Sequence, residues 1–162
     1  MNWSELNTPK KLFNEEDQNM GLFDFVANMG KKIFSSEAEA ADKIKGYFEG
    51  DNPGVNDFQV TVKDGIATIS GEAASADAKE KAVLMVGNLQ GVTQVNADKL
   101  TAPDPTQKVE YYVIKSGDTL SAIAQKFYGQ GSAYPRIFEA NREVIKNPDL
   151  IYPGQKIRIP MG

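Results

Sequence analysis

The chain has 162 residues, 41% of them hydrophobic and 25% charged, with a net charge of −4 and neither cysteine nor histidine. That is the composition of a folded protein, long enough for one ordinary domain or two small ones. It excludes disulfides, zinc fingers and thiolate catalysis, and it removes the commonest general base and transition-metal ligand.

The charge is unevenly spread. Residues 1–110 carry 11 Lys and Arg against 18 Asp and Glu, whereas residues 111–162 carry 7 against 4. The two parts should attract each other weakly, in a salt-dependent way. The basic residues are not clustered, so no nucleic-acid partner is expected. No stretch is apolar enough to span a bilayer. Residues 1–19 are polar and hold Glu15-Glu16-Asp17, with no apolar core of a secretory signal. They read as a disordered tail, with Met20 as a candidate original start, and the expected location is the cytoplasm.

In chain order, Gly21–Phe34 places Leu22, Val26, Met29 and Ile33 at helical spacing. This predicts a helix, either docked on its own domain or lying on a membrane surface. Ser36-x-x-Glu39 reads as a capping box, with Ala40, Ile44 and Phe48 forming the apolar stripe behind it. Residues 50–54, Gly-Asp-Asn-Pro-Gly, end that helix. Phe58, Val60 and Val62 make one strand face, and Ile66, Thr68 and Ser70 continue it beyond Asp64-Gly65, a hairpin signal. A further helix is predicted from Ser75 to Asn88 and a strand over Val92–Leu100. Residues 101–109 hold two prolines and no large apolar side chain before Val109, so they form a stiffened linker. A β-α-α-β unit follows: strand Tyr111–Lys115, helices Thr119–Phe127 and Pro135–Arg142, and strand Lys156–Pro160.

This last unit carries Tyr112-Val113, residues 115–120 (Lys-Ser-Gly-Asp-Thr-Leu), Ile123-Ala124, Phe127-Tyr128-Gly129, Ile137, Asn141 and residues 151–155 (Ile-Tyr-Pro-Gly-Gln). On those residues it resembles a LysM domain, placed at 110–162. Gly117 suits a sharp strand-to-helix turn, and Asp118 or Thr119 can cap the helix. The resemblance implies a shallow groove for N-acetylglucosamine polymers between two loops. Their residues are Ser116, Gly117, Asp118, Thr119 and Leu120, facing Pro148, Asp149, Leu150, Ile151 and Tyr152. Asp118 and Asp149 are also the nearest thing to a glycosidase-like carboxylate pair. Loop bracing is the simpler role for them, and no set of catalytic residues assembles elsewhere, so the chain reads as a non-enzyme.

Residues 36–100 resemble a BON domain, on Phe58–Val62, Gly65–Gly71, the helix through Ala78–Val86, and Gly91-Val92. The fold class is therefore α+β, with two small domains: a BON-like sandwich in the order helix-strand-strand-helix-strand, within 20–100, and a βααβ LysM module. A short apolar start, a BON domain, a proline-bearing linker and one LysM domain together resemble the bacterial cytoplasmic potassium-binding proteins. That resemblance implies a potassium ion held by the main-chain carbonyls of Val26, Met29, Lys31, Gly87, Leu89 and Val92. A large, weakly hydrated ion suits a cage of neutral carbonyls, whereas carboxylates favour calcium or magnesium. Helix ends leave such carbonyls unpaired, and Gly30 and Gly87 give the backbone freedom to turn them inward. The residues taken alone leave Gly87-Asn88 readable as a plain helix cap. The expected function is a monomeric potassium sensor or buffer, with a cell-wall glycan binder and an adaptor that binds a protein through its LysM surface as the alternatives.

Overall fold

A computed structural model describes residues 22–26 and 30–161. The predicted disordered tail and Met29 lie outside them. The fold is α+β, with a four-stranded sheet and a two-stranded sheet, each with its own apolar core.

The first unit comprises β1 (Leu22–Asp24), α1 (Glu37–Glu49), β2 (Val55–Lys63), β3 (Ile66–Ala73), α2 (Ala76–Gly87) and β4 (Gln94–Thr101). Its strand order is β1-β4-β3-β2. β2 and β3 pair antiparallel, β3 and β4 parallel across the α2 crossover, and β1 runs antiparallel on the outer edge of β4. The hairpin turn falls at Asp64-Gly65, where both residues take positive φ (53° and 80°). That is the backbone a two-residue turn needs to match the twist of its strands.

The apolar stripe of α1 behaves as its spacing dictates. Ala40, Ile44 and Phe48 are fully buried, and the Phe48 ring stacks on Phe58 at 3.7 Å. Its N-terminus is closed differently from the capping box that the residues spell. Ser36 makes no side-chain cap, and Glu39 accepts instead from the Ser35 N–H. Ser75 caps α2 through its hydroxyl, which accepts from the Ala78 N–H at 3.0 Å.

Two expectations are corrected. Residues 21–34 do not form a helix where they are described. Leu22–Asp24 is a strand, and Lys31 makes an isolated parallel bridge to Leu89. A sequence with Gly21 and Gly30 is a weak helix former, whereas the outer edge of β4 offers unpaired backbone groups. Strand pairing also buries Phe23 in the core. On β3, the core face is Ala67 and Ile69, paired with Val62 and Val60, so Ile66, Thr68 and Ser70 face outward. The two-residue turn sets this register: an inward Val62 must face Ala67, not Ile66.

The second unit comprises β5 (Val109–Val113), α3 (Leu120–Tyr128), a 3-10 turn (Gly131–Ala133), α4 (Tyr134–Ala140) and β6 (Lys156–Pro160). β5 and β6 pair antiparallel, and Leu120, Ile123, Ala124 and Ile137 pack beneath them. Thr119 caps α3 by accepting from the Ala122 N–H at 3.0 Å.

The two units touch closely. Val144 packs against both cores. The Arg158 guanidinium, 2% exposed, pairs with Asp77 and Glu80 of α2. Lys146 pairs with Asp51, and Lys81 with Glu143 at 3.4 Å. Three of these four pairs put the basic partner on the second unit, as the charge asymmetry anticipates. No helix among the described residues is long and apolar enough to cross a membrane.

Candidate functional site

The C-terminus of α2 runs into a tight turn over residues 87–93, and the N-terminal segment lies along it. The Phe25 N–H donates to the Thr93 carbonyl (2.8 Å) and the Gln90 N–H to the Lys31 carbonyl (2.9 Å). Both ends of the segment are thereby held to one turn. Two glycines permit the approach. A Cβ on Gly87 would stand about 2.0 Å from the Phe25 ring, and one on Gly30 would stand 1.8 Å from the Asn88 carbonyl oxygen. Gly30 also has φ +108°, a conformation that side-chain-bearing residues avoid. Gly87, by contrast, is helical, so its part is space for the ring rather than backbone freedom.

The sequence-predicted carbonyl residues are distributed as follows. Lys31 and Leu89 meet in the parallel bridge. The Lys31 carbonyl accepts from Gln90 and the Leu89 carbonyl from the Val92 N–H (3.2 Å). Each oxygen keeps a second lone pair. Among the described residues, no backbone N–H donates to the carbonyls of Gly87 or Val92. Val26 follows Phe25 at the surface, 44% exposed. The Lys31 ammonium lies over the Tyr47 ring, 5.2 Å from its centroid. Among the described residues, no cluster of three or more Asp or Glu side chains could hold a metal.

Asn88 lies between Gly87 and Leu89. Its side chain is buried and works in both directions. The amide nitrogen donates to the carbonyls of Leu84 (2.9 Å) and Lys156 (2.8 Å), and the amide oxygen accepts from the Lys156 N–H (2.8 Å). Its backbone carbonyl accepts from the Tyr152 hydroxyl at 3.3 Å. Burial, with Tyr47 nearby, pushes that hydroxyl up to about 12, so it stays a donor. A cavity of about 110 Å³ beside this contact is lined by Lys31, Tyr47, Asn88, Leu89, Glu143 and Tyr152 among others. The only sequence signal for Asn88 was its place as a helix cap.

A separate groove of about 340 Å³ lies on the second unit, lined by Asp118, Thr119, Leu120, Ser121, Tyr134, Pro148, Asp149 and Ile151. Six of the ten sequence-predicted groove residues line it, and Ser121 and Tyr134 join them. Ser116 and Gly117 are not in its lining. Leu150 points to solvent, 72% exposed, and Tyr152 turns away to Asn88. Asp118 braces the loop: its Oδ2 accepts from the Tyr112 hydroxyl (2.6 Å) and the Lys115 N–H (2.8 Å). The hydrogen bond from Tyr112 is the main reason its carboxyl sits below the ordinary value.

Family models match both parts of the chain, a BON domain over residues 36–103 and a LysM domain over residues 112–160. Both are binding-domain families. The potassium binding protein Kbp of Escherichia coli is 38% identical over 87% of this chain and 99% of its own length. An esterase of Mycobacterium tuberculosis is 42% identical over 40% of this chain, but that stretch is only 13% of the enzyme. A secreted LysM effector of Zymoseptoria tritici is 35% identical over 49% of this chain and 80% of the effector.

Proposed function

Because the chain belongs to the family of the potassium binding protein Kbp, we propose that it binds potassium through main-chain carbonyls and works as a cytoplasmic sensor or buffer rather than an enzyme. The carbonyls are those of Val26, Met29, Lys31, Gly87, Leu89 and Val92. The observation that carries this reading is the seating of the N-terminal segment on the turn after α2, with Phe25 on Thr93 and Lys31 on Gln90. This brings two stretches of irregular backbone, far apart in sequence, side by side. Carbonyls that lack helical or sheet partners can replace part of the water shell of a large monovalent ion. The glycine cradle at Gly30 and Gly87 fits the same purpose, since neutral backbone must approach closely and no carboxylate is needed. Binding would tie the segment to the turn and order the 20–100 unit. It would also favour the docked arrangement of the 110–162 unit across the 101–109 linker, to the extent that the ion binds that arrangement better.

Calorimetry on the full chain with potassium chloride and sodium chloride tests the reading. A saturable potassium signal with a far weaker sodium signal is expected, and identical profiles for the two salts would sink it.

A second reading is favoured by the groove at Asp118–Ser121 and Pro148–Ile151. Its place between two loops suits an N-acetylglucosamine oligomer. Titration with a chitin oligomer decides this, and perturbations confined to Thr119, Ser121, Tyr134 and Ile151 are the expected positive result.

A further inference from the structure

The potassium reading places every liganding carbonyl on the first unit. One residue of the second unit nevertheless touches both halves of that framework. Lys156 on β6 is 1% exposed. Its backbone N–H and carbonyl are clasped by the Asn88 side chain at 2.8 Å each, within the turn. Its ammonium donates to the Asp24 carbonyl, two residues before Val26, and lies 4.7 Å from the centroid of the Phe25 ring. That ring in turn covers Gly87.

An ammonium is a costly group to bury, because its charge must be satisfied by the protein in place of water. A Met or Leu at this position would pack as well without that cost. The contacts made by the charged end therefore define what the lysine supplies. Two of them, to the Asp24 carbonyl and the Phe25 ring, are directed at the N-terminal segment. β1 is only three residues long, and Phe25 continues it by one bond to Thr93. So short an edge strand is poorly held by its own ladder.

We infer that Lys156, seated on Asn88, is a positioning residue that staples the 22–26 segment to the 87–92 turn, so that the LysM domain completes a site whose ligands it does not contribute. The staple itself stands on these contacts, and its consequence for ion affinity rests on the potassium reading. The domain is then neither a passive passenger nor a free adaptor. Removing the staple frees the segment locally and leaves the far end of the β2–β3 pair, where Val55 faces Ala73, as it was.

The test compares the full-length chain with Lys156→Met, Asn88→Asp and a control, Lys108→Met, which makes the same charge change at an exposed position beside Glu110. Amide hydrogen exchange is followed by NMR in sodium and in potassium buffers, and potassium binding by calorimetry. Both test variants should lose about tenfold or more of the protection at the Phe25 and Gln90 amides, with amides at the Val55 and Ala73 end of the β2–β3 pair unmoved and the control unchanged. Both should bind potassium about tenfold more weakly, with a lower potassium-to-sodium preference. Unchanged exchange at Phe25 and Gln90 overturns the staple, as does an equal loss of protection throughout the first unit. A wild-type chain that takes up no potassium defeats the ion reading alone, since the exchange data judge the staple independently.

Discussion

Gly87 and Phe25 form one of the two tightest contacts at the candidate site. The ring lies where a Cβ would be, so Gly87→Ala must displace it or bend α2. We expect Gly87→Ala to cost about 1–3 kcal/mol, the usual penalty for overpacking a close contact, and to weaken potassium binding. Urea denaturation and calorimetry on the same preparation check both. Asp118 illustrates a residue whose charge braces a loop. Its folded carboxyl lies below the ordinary value, chiefly through the Tyr112 hydroxyl bond. Such a group adds stability above its unfolded pKa and loses it as pH falls through the folded one. Asp118→Asn should therefore melt below wild type at neutral pH, with the gap closing once pH drops under about 4. Thermal melts from pH 3 to 7 would show a constant gap if the carboxylate were irrelevant.

At the scale of elements, β6 explains how the two units are joined. One edge of β6 pairs with β5. Its other edge is served at Lys156 by the amide of Asn88 and at Arg158 by the amide of Asn141, in the same two-way pattern. Two asparagines, each at a helix C-terminus, thus stand in for a neighbouring strand, one from each unit. Beyond them, Arg158 meets Glu80 and Asp77 on α2. Burial holds the Glu80 carboxyl above its ordinary value, and Arg158 partly offsets this. A carboxyl raised in the folded state binds its proton more tightly there, so stability falls as pH rises through the window between the two values. Removing the guanidinium widens that window. Arg158→Met should cost about 3–5 kcal/mol at neutral pH by stranding Glu80, and less at pH 4.5, because burial favours the protonated form of Glu80 as pH falls. A double variant with Glu80→Leu should regain much of the loss, read by denaturant midpoints at both pH values.

For the whole molecule, contacts between the units join two small cores. Neither core is large, and small domains bury a low fraction of their surface. Scanning calorimetry of the wild type should give a single transition. The Asn88→Asp/Lys156→Met double variant should broaden or split it, with the second unit keeping its own core of Leu120, Ile123 and Ile157. A single sharp transition in that variant would mean that the remaining contacts, Arg158, Val144 and the Lys146–Asp51 and Lys81–Glu143 pairs among them, suffice to couple the units.

Local sequence is enough to specify the helices α1, α2 and α3, the Asp64-Gly65 hairpin, the strand Lys156–Pro160 and the two-domain α+β class. Each follows from local periodicity, caps or turn residues, which act over a few positions. The turn after α2 and the groove loops came only through the resemblance to known families, because Gly87-Asn88 taken alone reads as a plain helix cap. Tertiary structure decided the rest. Residues 21–34 carry helical spacing, yet β1 forms because the edge of β4 satisfies its backbone and the core takes Phe23. Ile66 and Ala67 are both apolar, and only the register fixed by the turn selects which faces inward. Asn88, Lys156 and Arg158 read as an ordinary cap and two strand cations. The partners that their side chains reach in the other unit lie 68 to 132 residues away in sequence, and no local pattern encodes an approach that exists only once two cores are packed together.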